Sequence, residues 1–271
     1  TSSPTSTRSA TLQKLPPLAS APLGTERVWA LDHPLVVERD RPPSNPAQLA
    51  YLFDAGYGGV SAAPGLTPAV FTVDGGAPAG AGDTPVLLAR FVHLADMQLA
   101  DDESPSRLVG FDNLGDLSGA FRPQEAWGCQ MLNAAARSIN ALHRSRPIEF
   151  VVMGGDNADN AQRNEVQWFD AVLDGAPQVE CDSGDDDDVR PGPGNDPKDA
   201  FAPEGLAMPW KWVTGNHDVL NQGVFQLTAD ARASYVGAQA QFGTRRWAQG
   251  EAAPFSGAIT ADPRREALVR S

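Results

Sequence analysis

Histidine is scarce in this chain: His33, His93, His143 and His217 are the only four, and none follows His217. Any site needing several imidazoles is therefore short of them beyond residue 217. Cysteine is rarer still, with Cys129 and Cys181 alone in 271 residues, too few for a disulfide scaffold. The two could pair if the chain is exported, but the expectation is that they stay unpaired, and Cys181 reads as a bystander, with no basic neighbour to activate it. Basic residues are outnumbered, 21 Lys and Arg against 34 Asp and Glu, for a net charge of −13. That balance argues against a nucleic-acid surface, because phosphate backbones are gripped by Lys and Arg. It leaves a phosphate ester open as substrate, since bound divalent cations reverse the field of an acidic site. No apolar run approaches the about 20 residues that span a bilayer, so no transmembrane segment is expected. Thr1 is preceded by neither methionine nor apolar leader, as in a processed or trimmed product.

What is present supports a folded enzyme-sized domain. A hydrophobic content of 41% over this length can bury a sizeable core. Residues 1–24, rich in Ser, Thr, Pro and Ala, read as a flexible arm. From 25 to 85, apolar patches (Val28-Trp29-Ala30-Leu31, Leu35-Val36-Val37, Ala69-Val70-Phe71-Thr72-Val73) alternate with Pro and Gly clusters. That is the pattern of short strands and turns, a β-rich N-terminal region.

The main domain covers 86–271. Residues 86–95 read as a buried strand and 124–143 as an amphipathic helix. Its inward face is Trp127, Met131, Ala135, Ile139 and Leu142; Gln130, Asn133, Arg137 and Asn140 face out. Residues 148–153 form a second strand, so strand, helix, strand predicts a right-handed parallel crossover. A second helix is expected over 161–173, with Val166, Phe169, Val172 and Leu173 inward. The stretch 174–208, dominated by Asp, Gly and Pro, reads as a solvated acidic insert outside the core. Its run Asp185-Asp186-Asp187-Asp188 invites a calcium ion, but the spacing is not that of an EF-hand loop. A third strand spans 209–214. Beyond it, 224–242 reads as helical and 243–271 as irregular. His33 fits a surface turn, and His93 a core or ligand-supporting position.

Three of the apolar runs end in oxygen donors: Asp96-Met97-Gln98, Gly155-Asp156-Asn157-Ala158-Asp159 and Gly215-Asn216-His217-Asp218. Parallel strands in an open α/β sheet place their carboxyl-end loops on one edge, where ligands bind. Carboxylate and carboxamide oxygens there suit Mg, Mn or Fe, and Zn where imidazoles join them. Asp156, on the middle run, is placed to bridge two ions. Gly155 and Gly215 permit close backbone approach beside it. His217 is placed to protonate a leaving alkoxide, with Asp159 accepting its other ring N–H.

These motifs resemble the calcineurin-like metallophosphoesterases over roughly residues 86–220. The family series runs Asp-x-His, Gly-Asp-x-x-Asp, Gly-Asn-His-Asp/Glu, then a lone His and a Gly-His-x-His. The stretches His93-Leu94-Ala95-Asp96 and Asp102-Glu103-Ser104-Pro105 look like a bacterial branch with long inserts, often exported to periplasm or medium. The resemblance implies an α/β sandwich of two β-sheets flanked by helices, of which this chain would supply the N-terminal half. It implies a phosphate mono- or diester as small-molecule substrate, hydrolysed by metal-activated water. Asp96 and Gln98 would hold a first divalent ion, Asp156 would bridge and Asn216 would hold a second (Mn, Fe, Mg or Zn). His217 and Asp159 would be catalytic. Gln98 replaces the family's histidine, and the later histidine ligands have no counterpart. The expectation is a truncated enzyme of weak or no activity. The alternative is a degenerate, non-catalytic exported surface or scaffold protein, with calcium bound near 182–188. An aspartyl-nucleophile phosphatase is a further rival, marked by a phospho-aspartate.

Overall fold

A short antiparallel pair opens the described chain, β1 (Arg27–Leu31) against β2 (Val60–Pro64). The computed structural model describes residues 12–35, 55–56, 58–67, 86–111, 122–247 and 253–268. Of the expected strand patches, Val28-Trp29-Ala30-Leu31 lies in β1, whereas β2 falls on a stretch that was not among them. Val36-Val37, 69–73 and residues 1–11 of the arm lie outside the described residues. The rest of the arm is not loose. Lys14 Nζ donates to Gly175 O (3.1 Å) and Glu204 O (3.3 Å), and Arg137 Nη2 donates to Pro16 O (2.6 Å). Its backbone carbonyls thus serve as acceptors for long cationic side chains, a role that composition does not reveal.

The centre of the fold is a parallel sheet, β3 (Phe91–Leu94), β4 (Phe150–Met153) and β5 (Trp210–Trp212), in the order β3-β4-β5. All three are shorter than the apolar runs that predicted them. Val86, Leu87 and Leu88 precede β3 and are exposed, so the first run is not a buried strand throughout. Between β3 and β4 lies α1 (Gly128–Ser145), preceded by a 3-10 turn at Pro123–Trp127. α2 (Arg163–Asp174) follows β4. The expected parallel crossover is present as a parallel β3–β4 register.

Strand alternation divides the sheet into two faces. Val92, Leu94, Val151, Met153, Trp210 and Trp212 face a core of Leu132, Ile139, Phe169, Val172 and Leu173 from the two helices. Fully burying a side chain such as Phe169 contributes about 1.5–3 kcal/mol. The two-sheet sandwich implied by the resemblance needs a partner sheet on the opposite face. Among the described residues, that face shows Phe91 and Lys211 exposed. Among the described residues the class is mixed α/β with three small sheets.

The inward face of α1 is only partly the predicted one: Ile139 is buried and Leu142 packs against the core as expected. Trp127 and Met131 are exposed, while Cys129, Leu132, Ala136 and Ile139 are buried together with Asn133 and Asn140. The two amides are buried because the backbone of the insert uses them. Asn133 Oδ1 accepts from Glu204 N (2.9 Å), and Asn140 binds Gly205 O (2.7 Å) and Ala207 N (2.9 Å). α2 matches expectation, with Phe169, Val172 and Leu173 buried. A capping box of Gln162 and Glu165 starts it, and Gly175 at φ 70° ends it.

The C-terminal expectations fail in two places. Only α3 (Ala229–Tyr235), capped by Thr228, is helical within 224–242. The predicted irregular tail instead contributes to an antiparallel pair, β6 (Gln239–Arg246) with β7 (Ala253–Ala258). A register irregularity between Ala240 and Thr244 breaks the alternation that would have marked β6 as a strand.

Candidate metal centre

Hydrogen bonds stitch the carboxyl ends of β3, β4 and β5 edge to edge. Asp96 N donates to Gly155 O (3.1 Å), and Gln98 N donates to Asp156 O (2.8 Å). His217 N donates to Asp156 Oδ1 (2.9 Å). Asp218 completes the lacing. Its Oδ1 accepts from Asn157 N (3.0 Å) and Ala158 N (2.8 Å), and its Oδ2 from Gly215 N (2.8 Å). The approach is close enough to require glycine: a Cβ on Gly215 would lie 2.2 Å from Asp156 Oδ1. Asp96, Gln98 and Asp156 all have left-handed backbone, at φ 58°, 41° and 52°. That conformation costs about 1–2 kcal/mol per residue, and such strain concentrates at functional sites.

The structure thus brings the three predicted loops together. Asp96 and Asn216 are exposed, and Asp156 is half-buried. Asn216 Nδ2 donates to Gly223 O (3.0 Å), which commits the amide nitrogen and leaves the carbonyl oxygen as its ligating atom. Two carboxylates and a carboxamide oxygen are the hard donor types that suit a divalent cation.

His217 and Asp159 meet differently from the expectation. His217 Nδ1 lies 2.8 Å from the backbone carbonyl of Asp159, and 3.6 Å from its Oδ1. The carbonyl is the closer acceptor because the carboxylate is engaged elsewhere. It is fully buried and bound by Arg107 Nη1 and Arg122 Nη2, with Asn160 Nδ2 at 2.9 Å. Burial opposes its charge, but Arg107 and Arg122, with His217 behind them, hold the carboxyl below the usual range. Gln98 Oε1 accepts from Arg122 Nη1, so its one ligating atom faces a guanidinium. His93 is exposed, not in the core, and its ring packs against Gly154.

Sequence reasoning missed Asp218, Arg107, Arg122 and Glu125. Asp218 stands inside a motif that was read, but its role is to bind backbone, which spacing does not encode. The arginines come from segments with no pattern of their own.

A second polar cluster lies in the acidic insert, which is more ordered than its composition implies. Cys129 and Cys181 are joined by a disulfide, against the unpaired reading, and this ties the insert to α1. Asp182, Ser183, Asp196 and Lys198 are buried. Lys198 Nζ lies 2.8 Å from Asp102, 3.1 Å from Glu103 and 3.3 Å from Asp182. Burial pushes the Glu103 carboxyl up to about 11, and that of Asp182 up to about 6. Glu103, Asp182 and Asp187 offer oxygens within 4.8 Å of one another, as do Asp188, Asp196 and Asp199, so either group could hold a metal ion. No helix among the described residues is long and apolar enough to cross a membrane.

Asp262 fastens the insert to the C-terminal segment. It accepts from Gly184 N (2.9 Å), Arg264 N (2.8 Å) and Arg264 Nη2 (2.6 Å). Burial opposes ionisation, yet these bonds draw the carboxyl down to about 2. A lowered folded value means its contribution is complete above about pH 4 and is lost as pH falls through about 2. Hydrogen exchange at the Gly184 amide should therefore accelerate between those two pH values. Asp262→Asn should abolish that acid step, and an identical profile in both chains would reject the assignment.

Comparison with protein-family models, with curated proteins and with solved structures finds no match to this chain.

Proposed function

We propose that the chain carries a calcineurin-like metallophosphoesterase site and hydrolyses a phosphate mono- or diester. The observation that carries this reading is the lacing of three parallel strand ends, which sets Asp96, Asp156, Asn216 and His217 on one edge. Asp96, Asp156 and Asn216 would hold a divalent ion such as Mn, Mg, Fe or Zn. When bound, such an ion supplies Lewis acidity toward a phosphoryl oxygen. His217, half-buried with Nδ1 against the Asp159 carbonyl, keeps Nε2 as the atom that can hand a proton to a leaving alkoxide. Asp159 is fixed by its two arginines and holds the His217 loop in place. In the architecture of that family the parallel sheet would be one layer of a two-sheet sandwich. The Cys129–Cys181 bond supports an exported setting, periplasmic or extracellular.

The test is cleavage of p-nitrophenyl phosphate and of its bis ester with Mn, Mg or Zn added. Turnover is expected to be slow, to stop with EDTA, and to be lost in Asp156→Asn. Hydrolysis that survives EDTA, or that Asp156→Asn leaves intact, would reject the proposal.

A second reading, a non-catalytic exported protein that binds calcium, is favoured by the Glu103, Asp182 and Asp187 cluster. Calcium would then raise the unfolding temperature, with no ester cleaved under any metal.

A further inference from the structure

We infer that Arg122 is a built-in cation of this edge, so that the site takes one divalent ion and not two. The inference rests on the phosphoesterase reading above and concerns how many ions that site accepts.

Gln98 is the residue expected to complete a first-ion site beside Asp96. An amide ligates a hard cation only through its carbonyl oxygen, and here Oε1 accepts from Arg122 Nη1. The same guanidinium is fixed at its other nitrogens. Nη2 donates to Asp159 Oδ1, and Nε donates to Glu125 Oε1 at 2.7 Å. The backbone of Arg122 is anchored as well, its carbonyl accepting from Arg245 Nη2. Arg122 is therefore braced by three different segments and cannot swing away from Gln98 without breaking several charged contacts.

Charge accounting points the same way. Asp159, held ionised by Arg107 and Arg122, and Glu125, whose ionisation burial opposes, bring at most two negative charges against those two arginines, and Arg245 stands 3.6 Å from Glu125 Oε2. The surroundings of Gln98 thus have no negative charge to spare for a second divalent ion. A guanidinium keeps its proton at any working pH, so the repulsion is permanent. The remaining carboxylates of the edge, Asp96 and Asp156, are two, the charge that one divalent ion neutralises. The edge would then present an ion and a guanidinium side by side to an anionic ester.

Mn titrated into the metal-free full chain, followed by electron paramagnetic resonance, tests this directly. The expected spectrum is that of an isolated ion, missing in Asp156→Ala. Arg122→Gln removes the charge, and its affinity for a second Mn should rise about tenfold or more, giving an exchange-coupled pair. Arg122→Lys keeps the charge and should retain the single-ion spectrum. A coupled pair in the unaltered chain would overturn the inference and leave the phosphoesterase reading standing. An isolated ion in Arg122→Gln at saturating Mn would overturn the role given to Arg122. No difference between the unaltered chain and Asp156→Ala would overturn the metal reading itself, and the inference with it.

Discussion

Asp218→Ala is expected to lower the thermal unfolding midpoint by roughly 10 °C. The carboxylate holds the amides of Asn157, Ala158 and Gly215 and the side chain of Asn157. Its removal leaves three backbone donors without their acceptor at a place where two loops touch. Each such donor costs about 1–3 kcal/mol, softened where water can enter, so a total of about 3–5 kcal/mol is expected. Asp218→Asn preserves shape and part of the bonding and should fall between the two. Because the same carboxylate sets the distance from Asp156 to Asn216, metal affinity should also drop about 10–100-fold in the alanine variant. Calorimetry and metal titration on the same preparations would check both. An unchanged midpoint would show that the loops are held by something other than Asp218.

The second large effect belongs to the disulfide. Cys129 and Cys181 are 52 residues apart, and a closed loop of this length is worth about 4 kcal/mol by the chain-entropy argument. Replacing both with alanine, or adding reductant, should lower the urea midpoint by about 1–2 M. The damage should be local first. Asp182 follows Cys181 directly and lies 3.3 Å from Lys198, so amides of 182–199 should lose exchange protection before the sheet does. Equal urea midpoints for the oxidised and reduced chains would count against a bond that matters for stability.

Much of the central sheet was legible because each strand is an apolar run closed by turn formers and followed by a polar motif. The parallel pairing of its first two strands followed from the helix between those runs; the place of the third strand did not. The faces of α1 were legible only in part, at Ile139 and Leu142. Helical spacing groups Asn133 and Asn140 with the polar residues, and only the backbone of 204–207 explains why they are buried. Trp127 sits in a 3-10 turn, outside the helical period that was applied to it. In the insert, a high density of Asp hid a buried lysine, Lys198, that pairs with Asp102 and Glu103 far earlier in the chain and makes the segment part of the structure. The candidate site was readable where a motif carried the donors, at Asp96, Asp156, Asn216 and His217. It was opaque at Arg122, whose partners Gln98 and Asp159 lie 24 and 37 residues away.

The neck of the acidic insert deserves a last consequence. Val179 and Phe201 exchange both backbone hydrogen bonds, at 2.8 and 2.9 Å, closing the base of the insert, while Cys181, Ser183, Gly184 and Lys198 fasten its flanks to the fold. With base and flanks fixed, what happens at the tip is separated from the sheet below. Residues 191–194 are all exposed, and each doubling of a flexible loop costs only about 0.6 kcal/mol. The tip is thus the natural place to splice in a tag or a longer segment, with the parallel strands and their edge undisturbed.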